Sequence, residues 1–584
     1  MQKKWLVKDA PDVDVVRKLK KELNVSEIVA YMLVQRGITE FDDAKHFFRG
    51  SLNKLHDPHL MKDMDRAVER VSKAVENGEK IMIYGDYDVD GTTAVSLVYS
   101  FLKHHTDKIE YYIPDRYKEG YGLSKVGIEY AAESGCSLLI SLDCGIKAID
   151  QVDLANNLGL DVIVCDHHTP GENLPDCIVL DPKRNDCDYP YKELSGCGVG
   201  YKLMTAVAKR NDFSLDLLNK NLDLLAISIG ADIVPITGEN RLLCQHGLEQ
   251  LNKNTRVGIE KMLNLAKKEK PLSLTNVVFI IAPRINAAGR MGDAKNAVKL
   301  LASENMEEVR TIAKAIHEDN ENRRAIDKVI TAEALEILEN DENFDDKCTN
   351  VVYKSGWHKG VIGIVASRII ETYYRPTVVL TQIEEGENWT GSVRSIKGVN
   401  VYDILEKCSD VLEQFGGHYY AAGLTVKTEN LALFTEKFDK EVKKVINSET
   451  LIPEQILESE ISFETIFNEG ESVHEVPRLK RILKQFEPHG PGNMKPVFLA
   501  KNVYAMDANL LKGEHLKMKV YQPKHNKPID AIMFSSPDSF QIVNESPFDM
   551  VFTLEENNFR GRSTLQLNVK DLRPSMALDE KVDV

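Results

Sequence analysis

The chain has 584 residues, which sets a soft expectation of about three or four domains. Its 43% hydrophobic and 28% charged content fits a globular protein, and no apolar run of about 18 residues marks a membrane span. A net charge of −16 argues against a nonspecific nucleic-acid coat, yet it leaves room for an enzyme with a local basic groove on an acidic body.

The N-terminal text "MQKKWLVKDAPDVDVV" turns acidic too soon for a secretory signal. The nine cysteines are odd in number, and none forms a CxxC pair. Neither a disulfide framework nor a zinc ribbon is expected, and reduced thiols in a cytoplasm are.

Residues 1–75 read as helical, with periodic apolar positions in "DVVRKLKKELNVSEIVAYMLVQRG" and "MDRAVERVSKAVENG". From 76 to 303 short apolar runs, "IMIYG", "IEYYI", "SLLISLD", "DVIVCD" and "CIVLD", alternate with helical windows. Runs buried on both faces and separated by helices predict a doubly wound α/β domain with a parallel sheet. Such sheets bind ligands at the carboxyl ends of their strands. Residues 304–345 read as a long, heavily charged connector helix with solvated faces. A second, smaller α/β domain is expected over 346–450, containing the Gly/His loop "QFGGHYYAAG". Residues 451–584 are strand-rich, with about five strands suited to a small OB-like barrel.

The stretch "IMIYGDYDVDGTT" ends an apolar run in Asp86, Asp88 and Asp90. Carboxylates this close repel one another, so a positive partner is required. A calcium loop would need a bidentate Glu at its twelfth position, which here is Leu97, and the element before it reads as a strand. A phosphatase using an aspartyl nucleophile fits Asp88-x-Asp90-Gly-Thr92 better, but it does not account for the acids and histidines downstream. A two-metal hydrolase does: "LLISLDCG" ends at Asp143, "VIVCDHH" at Asp166, His167 and His168, and "SIGADIVP" carries Asp232. Mn²⁺ and Mg²⁺ take such carboxylate and imidazole ligands, and paired ions activate water and stabilise a leaving oxygen. Each residue alone reads more readily as a cap, a turn or a satisfied core group. Several at successive strand tips favour the metal site.

The series "GDYDVDG", "LDCG", "CDHH", "ADIVP" and "FGGHYYAAG" resembles the DHH phosphoesterase superfamily. "PDRYKEGYGLS", "GCGVGYKL", "APRINAAGRMGDA", "SGWHKGVIGIVASR" and "EPHGPGNMKPVF" extend the likeness to its single-strand-specific 5′→3′ DNA exonuclease branch. The resemblance implies a DHH domain, a DHH-associated domain and an OB-fold. It implies two Mn²⁺ or Mg²⁺ ions held by Asp88, Asp90, Asp143, His167 and Asp232, with Asp143 bridging and His168 facing the scissile phosphate. Where the superfamily often carries a metal-binding histidine, this chain has Tyr84, a poor ligand at neutral pH. That implies a more easily emptied first site, or replacement of the imidazole by Asp86 and water.

The resemblance further implies recognition of a 5′-terminal phosphate by Arg116, Ser392 and Arg394. Arg284, Asn286 and Arg290 would lie near the same channel, and Gly416, Gly417 and His418 would form a phosphate-approaching loop. Tyr504, Tyr521, Phe534 and Phe559 of the C-terminal unit are candidates for stacking on bases. The implied activity is hydrolysis of single-stranded DNA to 5′-mononucleotides in repair and recombination. A monomer is implied, with a single-strand-binding protein and a RecQ-type helicase as partners. The alternatives are a phosphodiesterase for short oligonucleotides or cyclic dinucleotides, and an inactive DNA-binding scaffold.

Overall fold

The computed structural model describes residues 3–382, 387–467, 470–545 and 547–575. The chain divides into two compact units. The first comprises residues 1–4, 56–234 and 246–453, and the second residues 5–55, 235–245 and 454–584.

The first unit is built on five parallel strands, β1 (Ile81–Gly85), β2 (Ile109–Tyr112), β3 (Leu138–Leu142), β4 (Asp161–Cys165) and β5 (Ile178–Leu180). Their order across the sheet is β2-β1-β3-β4-β5. Every residue of β1 and β3 is buried, as expected of central parallel strands covered by helices on both faces. Helix α1 (Val89–Leu102) follows β1 directly, and the α2 (Gly196–Arg210) and α3 (Leu222–Ala231) helices pack against it. A π-turn at Val277–Ile281 then leads into α4 (Ala282–Met291).

The long helix α5 (Met306–Glu339) departs from its expected solvated character. Val309, Ile312, Ala313, Ile316, Ile330, Ala334 and Leu338 are buried along one stripe. The stripe recurs at helical spacing and is masked in the sequence by the charged residues on the other faces. The Asp327 carboxylate, also buried, is met by the Nε of Arg368 at 2.9 Å from both oxygens.

Beyond α5 lies a mixed sheet of β6 (Asn350–Tyr353), β7 (Thr377–Gln382), β8 (Asn388–Arg394), β9 (Gln414–Gly417) and β10 (Ala421–Lys427), in the order β9-β10-β8-β7-β6. Only the β6–β7 pair is parallel. Helix α6 (Ile362–Thr372) packs on β7 and β8.

In the second unit β11 (Phe498–Leu511), β12 (His515–Gln522), β13 (His525–Met533), β14 (Phe548–Phe559) and β15 (Arg562–Pro574) run in the order β11-β12-β13-β15-β14. Pairing of β11 with β14 closes them into a five-stranded barrel. The expected N-terminal helical segment 1–75 is split between the units. Helices Val13–Leu23 and Glu27–Val34 bury Leu19, Val29, Met32 and Leu33 in one core with the barrel residues Phe498, Phe548 and Phe552. Helix Met64–Glu76 packs on α2 of the first unit.

Candidate active site

The parallel strands of the first sheet all end at one edge, and four acids directly follow strand tips there. Asp86 follows β1, Asp143 follows β3, Asp166 follows β4 and Asp181 follows β5. Asp88 caps α1, its Oδ1 accepting the Gly91 N–H at 2.9 Å, so Asp90 sits in the helix's first turn. Asp232 is brought in by α3 as its C-cap, directly after Ala231. Asp143 adopts a left-handed φ of 60°, which aspartate tolerates better than most residues.

These elements bring His167 and three carboxylates together. The His167 Nε2 lies 3.1 Å from Asp143 Oδ1, 3.6 Å from Asp232 Oδ2 and 3.7 Å from Asp90 Oδ2. Two groups with metal-ligating geometry share His167, one with Asp143 and His168 and the other with Asp90 and Asp232. Burial, reinforced by neighbouring carboxylates, makes Asp86, Asp88, Asp143 and Asp232 weaker acids, pushing their pKa values above the usual carboxylate range. Burial and the His168 charge hold the His167 ring basicity down, against the pull of Asp90.

The donor set fits divalent cations. Asp143 Oδ1, Asp86 Oδ2 and both ring nitrogens of His167 are buried without a hydrogen-bond partner. Neutral side chains would leave these atoms orphaned, at a cost of about 1–3 kcal/mol each. A hard cation takes such oxygens and a neutral imidazole nitrogen together, and it removes the repulsion among the acids.

Residues outside the expected ligand set hold the ligands in place. The Asp90 carboxylate accepts the backbone N–H groups of Gly196 (2.7 Å) and Cys197 (2.9 Å) at the start of α2, and the Ser228 hydroxyl at 2.7 Å. Asp166 Oδ1 accepts from the His167 and His168 N–H groups at 2.7 and 3.1 Å and meets His168 Nδ1 at 2.7 Å. Although burial opposes ionisation, these histidine contacts hold the Asp166 carboxyl down to about 2. His168 is in turn held more basic than usual, because the Asp166 bond and charge outweigh burial. Tyr84 does not face the cluster. Its hydroxyl donates to the Gly122 carbonyl (2.9 Å), and Gly122 N–H donates to Asp86 Oδ1 (3.2 Å).

A second feature lies beside the first. A cavity of 720 Å³ is lined by Arg116, Arg290, Lys359, Ser392, Arg394, Gly416 and Gly417, together with Tyr87 and Tyr121, and among the described residues no carboxylate lines it. Burial lowers Arg290 to about 10 and Arg394 below its usual value, and the neighbouring guanidiniums add to both shifts. Cations gathered without acids mark a site for an anion. Arg394 NH1 donates to Ser392 Oγ at 3.0 Å, and Arg290 NH1 to the Gly360 carbonyl at 2.8 Å. A side chain at Gly363, in the first turn of α6, would lie 2.8 Å from both Ser392 Oγ and Arg394 NH2. Arg116 stacks over Tyr87 at 4.8 Å, and Tyr87 meets Tyr121 edge-on at 6.3 Å. The Tyr121 hydroxyl then reaches the Asp143 carbonyl (3.2 Å) and His168 Nε2 (3.3 Å). The cavity and the carboxylate cluster are thus adjoining parts of one site.

Three expected residues fall outside the cavity lining. Arg284 is buried against α5, donating to the Ile280 carbonyl at 2.7 Å and feeling Glu321, Arg324 and Arg323. Asn286 is half-buried on α4. His418 lies just past β9, within the electrostatic reach of His168 and Lys147. In the barrel, Tyr504 and Tyr521 stack on each other at 5.5 Å, whereas Phe534 and Phe559 are exposed.

Comparison with known proteins places this geometry. The DHH family, N-terminal domain, matches residues 80–229, the DHHA1 domain residues 346–444 and the RecJ OB domain residues 475–571. The single-stranded-DNA-specific exonuclease RecJ of Bacillus subtilis is 36% identical, with 96% of this chain and 70% of that protein covered. The chain belongs to the RecJ family. RecJ of Escherichia coli is 31% identical, with 96% of this chain and 98% of that protein covered. Among solved structures, RecJ of Thermus thermophilus in complex with Mn²⁺ matches at 25% identity and a TM-score of 0.83, over 98% of this chain and 80% of that one. The expected architecture of DHH domain, DHHA1 domain and OB barrel is therefore that of RecJ proteins, as is the expected metal dependence.

Proposed function

We propose that this chain is a metal-dependent, single-strand-specific DNA exonuclease that works from a 5′-phosphorylated end and releases 5′-mononucleotides. The observation that carries this reading is the arginine-lined cavity, free of carboxylates among the described residues and joined through Tyr87 and Tyr121 to the cluster of acids and histidines. A terminal phosphate carries about −1.5 to −2 charge and an internal diester only one, so grouped guanidiniums favour the end of a strand.

Residues 76–303 supply the hydrolytic chemistry, 346–450 help to recognise the end, and 451–584 hold the strand through exposed groups such as Phe534 and Phe559. Asp90, Asp143, His167 and Asp232 would hold the ions, His167 being common to both ligand groups, and Asp88 would complete the set at the cap of α1. When bound, two Mn²⁺ or Mg²⁺ ions activate water and offset charge on the scissile phosphate. His168, oriented by Asp166 and held more basic than usual by it, faces that phosphate. Arg116, Arg290, Ser392 and Arg394 hold the terminal phosphate, and the open backbone at Gly416 lets the strand approach.

Among the described residues no helix is long and apolar enough to cross a membrane, and a DNA substrate fits a cytoplasmic enzyme. Strands must be unwound before they enter, which favours a RecQ-type helicase and a single-strand-binding protein as partners of a monomeric enzyme. The test is digestion of a 5′-phosphorylated single strand beside a blunt duplex and a cyclic dinucleotide, each with Mn²⁺ or Mg²⁺. Rapid shortening of the single strand alone is expected. Preferential hydrolysis of the cyclic dinucleotide would overturn the reading.

A further inference from the structure

Helix α3 ends at Ala231, with Asp232 as its C-cap in right-handed geometry, and the next residue, Ile233, has a φ of +60°. That position after a helix is commonly glycine or asparagine, because a left-handed backbone brings Cβ against the following carbonyl. A β-branched side chain is the costliest kind to place there. Packing does not repay the cost. Ile233 is 66% exposed, while Val234 beside it is buried. The residue is thus strained, apolar, open to solvent and next in the chain to an acid of the cluster.

We infer that Ile233 is a substrate contact, an apolar surface against which the base of the second nucleotide of a DNA strand packs during cleavage. The inference rests on the exonuclease reading above. The nucleotide is assigned from the two halves of the cluster. Tyr121, which lines the anion cavity, touches Asp143 and His168 of one half. Asp232 belongs to the other half, which shares only His167 with the first. A terminal nucleotide whose 5′-phosphate sits in the cavity lies toward the first half. Ile233, attached to the second, meets the nucleotide that stays with the shortened strand. Bases offer apolar faces of every sequence, so an aliphatic contact suits an enzyme that must accept any base.

The experiment compares initial rates on 5′-phosphorylated single strands that are intact, abasic at nucleotide one or abasic at nucleotide two. The proteins are wild type, Ile233→Asn, Ile233→Gly and Ile233→Leu. An aliphatic contact with one base is expected to be worth roughly tenfold in rate, or about 1.4 kcal/mol. Wild type should slow about tenfold when nucleotide two is abasic. Ile233→Asn should lose about tenfold on the intact strand and little more on the strand abasic at nucleotide two, whereas Ile233→Leu should behave as wild type. Thermal unfolding and Mn²⁺ titration exclude a merely structural role. Asn and Gly suit a left-handed backbone, so the melting temperatures of both variants should stay level or rise, and Mn²⁺ affinity should not change. The inference is overturned if Ile233→Asn keeps the wild-type ratio between intact and abasic strands, or if the lost discrimination is at nucleotide one. Failure of wild type to shorten any strand would instead overturn the exonuclease reading.

Discussion

Gly196 N–H donates to Asp90 Oδ2 at 2.7 Å, joining residues that lie 106 positions apart in the chain. The same glycine abuts Asp143. A Cβ at Gly196 would fall 2.6 Å from the Asp143 Cβ and 2.8 Å from its Cα. The second distance involves backbone, so no rotamer change relieves it.

Gly196→Ala should therefore disable the site although it alters no ligand. Displacing catalytic groups by about 1 Å costs about 10²-fold in rate. The expected outcome is at least that loss of exonuclease rate with weakened Mn²⁺ binding, measured by steady-state kinetics and metal titration. A variant with wild-type activity would show that Asp143 and α2 are further apart than described.

The two adjacent histidines should separate by function. His167 Nε2 faces three carboxylates without a hydrogen bond, so His167→Ala should lose metal. His168 is engaged by Asp166 and Tyr121, so His168→Ala should lower the rate by more than it lowers metal content. Metal counting on the purified variants checks this, and equal metal loss would make both histidines ligands.

Arg394→Ala should narrow the preference for 5′-phosphorylated over 5′-hydroxyl strands. A hydrogen bond to a charged group is worth about 1.5–3 kcal/mol, or about 10–150-fold in the ratio of the two rates. Arg394→Lys should recover only part of it, because an ammonium lacks the forked geometry. The rates must be compared at one salt concentration. An unchanged ratio in Arg394→Ala would place the end pocket elsewhere.

His489, in the second unit, supplies a pH dependence of stability. Burial, with nearby Lys495, Arg36 and Lys480, lowers its ring to about 4, despite the Asn493 carbonyl at 3.3 Å. The unfolded ring titrates near its ordinary value of 6.5. Between about pH 4 and 6.5 the unfolded chain binds a proton that the folded chain refuses. Stability from this group is therefore complete above pH 6.5 and falls as the pH drops toward 4. Melting temperatures across that range should fall less steeply in His489→Gln than in wild type.

The sequence carries much of this fold because its strongest signals are local. Four of the five parallel strands, β1, β3, β4 and β5, are apolar runs with an acid directly after the strand tip, as in "LLISLDCG" and "VIVCDHH". The barrel strands alternate visibly between turns. The burial of α5 was hidden because charged residues surround its apolar stripe. Gly196 and Ser228 were not legible as site residues, since their role depends on how α2 and α3 approach Asp90. Arg284 and Arg290 share one motif and one helix. Six residues at about 100° each set them roughly 120° apart, so one reaches the cavity while the other turns to α5. Tyr87, between Asp86 and Asp88, and Tyr121, between Gly120 and Gly122, have no sequence pattern of their own, and their role shows only once Arg116 stacks over Tyr87 and Tyr87 meets Tyr121.

The most direct test of the account follows one 5′-phosphorylated, 3′-labelled single strand in Mn²⁺ with wild type and with Asp143→Ala. Wild type should shorten the label-bearing strand stepwise and release 5′-mononucleotides, with a matched blunt duplex left intact. Asp143→Ala should be inactive, because that carboxylate lies 3.1 Å from His167 Nε2, the residue common to both candidate ligand groups. Near-normal turnover by Asp143→Ala at saturating Mn²⁺, or equal degradation of the duplex, would contradict it.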